Sequence, residues 1–371
     1  MTDQKPKDLW TVDGISHMVF NKDFTQCAVS KKDNKVYIYS CNPLENPDKW
    51  NSTPLHVLDN HFLYVSGLDW CPANNRLLSC SYDKTCYIWE FDSSKGKWIP
   101  NILNASAKLG YLFCHWNNRG DKLVTGTSEK KLYIGYFSTQ AQWWSGRNIK
   151  GHKSSVVCAR IDPSSCYVIS GSTDFKVSVH SCYDPQIDNA YIPAEMQSQM
   201  PEFETLIYEF DSQAWINDVD WNESGSICYA AGQDANIYLI DPYAGTCEPL
   251  CLEHSAISKI LPDADKGFYA VGFNREIYYY EKVGDKWAMT KQITGGEKKG
   301  ASGPAASVSG GGVAERLKMF GGANALKKKA SLVYTTTSNE KIHKTTISSI
   351  TVKGKKLITT DYAGFIKFWA I

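Results

Sequence analysis

Two histidine–carboxylate pairs stand at spacings that would suit acid–base chemistry. His61 precedes Asp83, and His152 precedes Asp174, by the same interval. A histidine beside a carboxylate is common apparatus for proton transfer. Both pairs, however, occupy the same place in a repeating pattern, and a position that recurs along a chain is a structural position. No HExxH or GxSxG motif accompanies them. The twelve cysteines fall at irregular spacings, such as Cys27, Cys41, Cys71, Cys80 and Cys86, with no CxxC pair. Cys247 and Cys251 come closest, but no further ligand lies at zinc spacing. The segment GGEKKGAS, residues 295–302, has two glycines at P-loop spacing, yet Ala301 stands where the lysine is required. These residues point to no catalytic site, no metal and no cofactor, and to free buried thiols in a reducing compartment.

The elements that would position those residues are short strands. Residues 61–91, HFLYVSGLDWCPANNRLLSCSYDKTCYIWEF, hold one complete unit. An alternating strand ends at Cys71-Pro72, a second strand follows, Tyr82-Asp83-Lys84 is a turn, and a third strand carries Trp89. The unit recurs at 151–182 with His152, Asp174 and His180 in place of the Trp, and at 215–241 with Asp234. It recurs again at 17–40 with His17, Asp33 and Tyr39, at 109–137 with Glu129, and at 254–281 with His254, Asn274 and Tyr280. The last copy, 343–370, has His343 and Trp369, with its turn carboxylate, Asp361, two residues early. This is a degenerate WD40-type pattern. Each unit is a small antiparallel sheet whose faces both need cover, which neighbouring units supply. The His, turn Asp, strand Ser or Thr and Trp can form a buried hydrogen-bond chain.

Positions equivalent to the Trp fall at 39, 89, 135, 180, 240, 280 and 369, with two long intervals, near 181–206 and 283–342. Setting both aside leaves roughly 41 residues per unit for seven units, within the range of WD40 repeats. The expected fold is all-β: a single seven-bladed WD40 β-propeller spanning 1–371, with a long insertion between blades six and seven that carries a short helix. Residues 8–13, DLWTVD, are expected to supply the strand that closes the ring.

Composition agrees. Hydrophobic residues make up 43% and aromatic residues 13%, enough for a large core, and the net charge of +1 gives no global attraction for nucleic acid or membrane. The N-terminus is polar, and no apolar run approaches the ~20 residues of a membrane span. Charge is nevertheless uneven: residues 295–331 carry seven Lys/Arg against two Glu.

Within that segment, VAERLKMF reads as about two turns of amphipathic helix between glycine clusters, too short to be stable alone in water. Val313, Leu317 and Phe320 share one face with Met319 beside them, and Arg316, Lys318, Lys327, Lys328 and Lys329 form a basic rim. Folding back on the propeller or binding nucleic acid or acidic lipid are possible uses; docking on an outside partner is the reading adopted. KKKAS resembles a basophilic kinase site at Ser331. Two further features are candidates for partner contact. Trp143 and Trp144 are adjacent on a strand and face opposite sides, so at most one is readily buried by its own blade edge. The inter-blade connection 181–206, with three prolines, reads as a loose loop or one packed on another subunit.

Taken in order, VYIYS, GLDWCP with CSYDKTCYIW, the Trp pair after YIGYF, GSTDFKVSVHSCY, MPEF and the ERLKMF…KKKAS element resemble subunit 1 of the actin-related protein 2/3 complex, nearly end to end. The extra glycines at 310–312 and 321–322 depart from that family. The resemblance implies a non-enzymatic scaffold subunit of the branched-actin nucleation machinery in the cytoplasm, at the actin cytoskeleton. Implied partners are the small helical subunit, the central clamp subunits, the actin-related proteins, the actin filament and nucleation-promoting factors. The alternative is a WD40 adaptor of another assembly, a ubiquitin-ligase substrate receptor or a trafficking coat.

Overall fold

The computed structural model describes residues 14–44, 50–252, 254–293 and 343–371. These form seven consecutive antiparallel sheets. Blades 1 to 6 span 17–58, 65–104, 111–149, 156–211, 216–251 and 257–293, each with four strands, and blade 7 spans 347–370 with three. The first strands of successive blades pack side by side, and that of blade 7, Ile347–Lys353, packs against that of blade 1, His17–Phe20, which closes the ring.

The seven positions aligned from spacing sit in one register. Tyr39, Trp89, Gly135, His180, Ile240, Tyr280 and Trp369 pair with Cys27, Leu77, Leu123, Val168, Cys228, Phe268 and Leu357, each at the start of its blade's second strand. Second strands such as Leu77–Ser81, Lys122–Thr127 and Gly267–Gly272 are buried along their whole length. A strand covered on both faces tolerates continuous small and apolar residues rather than alternation. The core accordingly lies between blades, as seven apolar clusters. One joins Val36 and Ile38 of blade 1 to Val65 and Leu68 of blade 2, and another joins Ile15 and Met18 to Ile358 and Ile366 across the closure.

Blades 2 and 3 are fused. The fourth strand of blade 2, Lys97–Asn104, pairs in parallel with the fourth strand of blade 3, Trp143–Ile149, at Leu103↔Trp144 and Asn104↔Ser145. Two glycines permit the approach. Gly135 and Gly146 oppose each other across blade 3. A Cβ on Gly135 would lie 2.8 Å from side-chain atoms of Leu103 and Leu123, and one on Gly146 would lie 2.5 Å from the Ala105 side chain. Blade 3 has lost the repeat Trp at 135, and Leu103 of its neighbour enters that space.

One boundary expected from the sequence shifts, and one connection proves better ordered than expected. Residues 283–293 belong to blade 6, not to the insertion: Lys286–Ile293 is its fourth strand, and Trp287 and Met289 pack on the cluster between blades 5 and 6. The 181–206 connection is neither loose nor structureless. Ser181 ends the third strand of blade 4, Leu206 begins the fourth, and two single-turn helices, Pro185–Asp188 and Ala194–Gln197, lie between. Asp188, fully buried, pins it to blade 3. Its carboxylate receives Arg119 and the fully buried Lys122, whose Nζ also donates to the carbonyls of Cys182 at 2.8 Å and Ser165 at 3.0 Å. The expected closing strand at 8–13, the arm residues 313–320 and 327–329, and Ser331 lie outside the described residues.

Removing one partner of a buried ion pair leaves an uncompensated charge, which costs several kcal/mol. Lys122→Met is expected to lower unfolding stability by about 3 kcal/mol in urea titrations. It should also open the 182–205 loop to limited proteolysis. An unchanged midpoint with a protected loop would show that Arg119 alone holds Asp188.

Candidate functional site

The His–Asp pairs resolve into hydrogen-bond chains that run through the blades. In blade 2 the Trp89 indole donates to Ser79 Oγ at 2.8 Å, Ser79 Oγ lies 2.8 Å from His61 Nε2, and His61 Nδ1 lies 3.1 Å from Asp83. Asp83 also accepts the backbone N–H groups of Phe62 and Thr85. Burial would raise its pKa, but the bonds from His61, Thr85 and the backbone prevail and hold it well below the usual carboxylate range. Blade 7 repeats the chain with Trp369, Thr359, His343 and Asp361. Asp361 stands two positions early, on the strand end rather than in the turn, and still reaches the imidazole at 3.2 Å. Blade 4 has His152, Asp174 and Ser170, but His180 at the Trp position leaves its own buried Nδ1 without a partner. The His61 and His343 side chains are inaccessible to solvent, so these pairs lock strands together and meet no substrate.

Asp234 holds its turn differently. It accepts from the Tyr238 hydroxyl, 2.5 Å away, four residues later. Asp33 with Tyr37 and Glu129 with Tyr133 repeat this arrangement in blades 1 and 3, whereas in blade 6 the Asn274 amide donates to the Tyr278 hydroxyl, which donates to Glu276. In blades 1, 3, 5 and 6 a tyrosine four residues on thus bonds the turn residue. Burial, and then the acidic partner, push the Tyr37 and Tyr238 hydroxyls up to about 12. The spacing of four from each turn residue was visible in the sequence as the signal. His17, aligned with the chain histidines, is instead the first residue of blade 1's inner strand.

Charged groups gather at the axis, on the inner strands. The residue at one position of each inner strand is Asp69, His115, Arg160 or Asp220 in blades 2 to 5. His115 lies 3.6 Å from Asp69, Arg160 3.6 Å from Asp220, and Lys259 3.6 Å from Asp218. Burial, then Lys259, lowers His17 to about 3; burial, then Arg160, lowers His115 to about 4. Both imidazoles are therefore neutral at physiological pH. The readable trace was a polar residue just before the strand's terminal Trp or Ile, as in LDW, CHW, ARI and VDW. Among the described residues, no three His, Cys, Asp or Glu side chains are placed to hold a metal.

Surfaces for protein contact are more extensive. Trp144 is buried and packs edge-on against Trp116, with ring centroids 5.4 Å apart, whereas Trp143 is 54% exposed. Trp143 borders a cavity of about 340 Å³ between blades 2 and 3, with Ile102, Leu103, Ala107, Tyr111 and Lys84. On the end of the ring that bears the turn carboxylates, Phe62 is 82% exposed, and Leu63, Tyr82, Leu109, Phe175 and Trp215 are also exposed. These exposed apolar residues make that end a candidate contact surface. The turn acids of that end are engaged internally, while Lys84, Lys130 and Lys153 stand among the exposed aromatics.

Residues 52–90, 143–181 and 204–241 match the WD domain, G-beta repeat family. The chain is similar to actin-related protein 2/3 complex subunit 1B of Arabidopsis thaliana, 24% identical over 96% of this chain and 94% of that one. It is 28% identical to subunit 1A-A of Xenopus laevis over 61% of this chain, spanning 60% of the length of that relative. Subunit 1 of Schizosaccharomyces pombe is 23% identical over 76% of this chain and 74% of its own. No helix among the described residues is long and apolar enough to cross a membrane.

Replacing the turn carboxylate tests the hydrogen-bond chain. Asp83→Asn is expected to cost about 2 kcal/mol, because His61 and two backbone N–H groups lose a charged acceptor. A carboxylate whose folded pKa is depressed adds stability above its unfolded pKa of about 3.9, which is lost as pH falls through the folded value. Wild-type stability should therefore fall steeply below about pH 4, and the variant's less steeply. Parallel slopes in urea unfolding from pH 5 to 2 would remove Asp83 from this role.

Proposed function

We propose that this chain, a relative of actin-related protein 2/3 complex subunit 1, is a non-enzymatic WD-repeat scaffold in an assembly that nucleates branched actin filaments. The observation that carries the reading is similarity to the Arabidopsis subunit over 96% of the chain, joined to a seven-bladed ring with exposed aromatic residues at one end. The proposed partners are the actin-related proteins, the small helical subunit and the central clamp subunits. The apolar, lysine-edged end is the candidate face for these subunits or for nucleation-promoting factors, with Trp143 and the cavity beside it as a second contact. The proposed location is the cytoplasmic actin cytoskeleton.

The insertion arm is proposed, from its sequence pattern, to dock on filament actin or an actin-like partner through Val313, Leu317, Met319 and Phe320. Arg316, Lys318 and Lys327 to Lys329 supply the basic rim. A short amphipathic segment seated in an apolar groove gains from its partner the order it lacks in water.

Affinity purification of the tagged full chain, read by mass spectrometry, should recover two actin-related proteins in stoichiometric amount. Recovery of a cullin ligase or coat subunits in their place would overturn the reading. Deleting 295–331 should leave the unfolding midpoint of the ring unchanged and reduce filament branching by about tenfold, the effect of losing roughly 1.4 kcal/mol of docking energy. Unchanged branching by the reconstituted deletion complex would rule out the arm as a filament contact.

A further inference from the structure

At the end of the ring opposite the turn carboxylates, the turns linking first and second strands in blades 3 to 6 enclose a cavity of about 380 Å³. Its walls include Ile161, Pro163, Pro262 and Trp221, and its acidic groups are Asp220 and Glu223. Two amides complete the polar lining, and no lysine or arginine is among the described lining residues.

The two carboxylates have unused acceptor capacity. Asp220 Oδ1 accepts the Trp221 N–H at 2.9 Å, but Oδ2 lies 3.6 Å from Arg160 Nε, beyond a good hydrogen bond. Glu223 is exposed and makes no hydrogen bond or ion pair among the described residues. An ionised carboxylate can accept several charged donors, and a planar guanidinium offers five in a fixed fork. Apolar walls beside two acids suit a cation carried on an aliphatic stem. An anionic guest would face both acids, and a metal ion would lack a third ligand of its usual kind.

We propose that this cavity at the mouth of the axial channel receives an arginine side chain presented by a partner protein, its stem against Pro163 and Pro262 and its guanidinium between Asp220 and Glu223. This goes beyond the assembly reading and does not depend on which complex the chain joins. Asp220 makes the site sensitive to pH. Burial, only partly offset by Arg160 on the neighbouring inner strand, pushes it up to about 6, and Asp218 on its own strand adds to the rise. Lys259, on the next inner strand, is turned to Asp218. A bound cation favours the ionised form, so binding weakens as pH falls through about 6.

The test uses the Trp221 indole, which donates to the Arg160 carbonyl at 3.1 Å beside the cavity and reports its occupancy. The full chain, labelled at its indole nitrogens, is titrated with N-acetyl-arginine amide at pH 7.5 and followed by NMR. A saturable shift of the Trp221 signal is expected, absent with the neutral isostere N-acetyl-citrulline amide and weakened at pH 5. Glu223→Gln, at an exposed position, should weaken binding about threefold, and Asp220→Asn with Glu223→Gln at least about tenfold. No saturable shift, an equal response to the citrulline compound, or unchanged affinity in Glu223→Gln would overturn the proposal. The single variant keeps the test decisive if the double variant fails to fold.

Discussion

The structure depends on lateral burial between blades. No blade here could hold its second strand in water alone: Leu77–Ser81, Lys122–Thr127 and Gly267–Gly272 are covered on both faces, and the covering atoms belong largely to neighbours. A two-faced apolar sheet of four short strands exposes too much surface to be stable by itself. The ring is therefore one cooperative body, and closure between blades 7 and 1 through Ile15, Met18, Ile358 and Ile366 is a condition for the whole. The His-centred chains act on top of this. They add direction to a core that hydrophobic burial leaves free to slide, since a one-residue slip would part Trp89 or Trp369 from its hydroxyl.

That division of labour explains how degenerate repeats can share one geometry. Blades 2 and 7 carry the complete chain, blade 4 lacks its Trp, and four others hold the turn through a tyrosine hydroxyl. Since burial supplies most of the stability, each turn needs only some acceptor–donor pair to fix its end. Positions free of the chain then became available for other uses, and Gly135, where blade 2 leans into blade 3, is one such use.

What the sequence revealed was local and periodic. The seven aligned positions share one strand register, and the opposed fates of Trp143 and Trp144 follow from strand alternation. What it concealed was non-local. Asp188 meets Lys122 across 66 positions, so nothing in the polar 181–206 stretch announces a buried anchor. The axial charges were hidden for a related reason: a polar residue on an alternating strand reads as solvent-facing until the innermost strand of each blade is known. Lys286–Ile293 was missed because an outer strand, half exposed, carries a weak pattern. The arm residues, whose pattern most suggested a partner, lie outside what the structure describes.

Because the outer strands of blades 2 and 3 share hydrogen bonds, seven sheets make six mechanical units. Under load the ring has a stiff sector, the eight-stranded sheet, while among the described residues the other blades meet without a shared strand ladder. Any partner seated across Trp143 would grip that stiff sector, and a pull there would reach the closure between blades 7 and 1 through blade 1 alone.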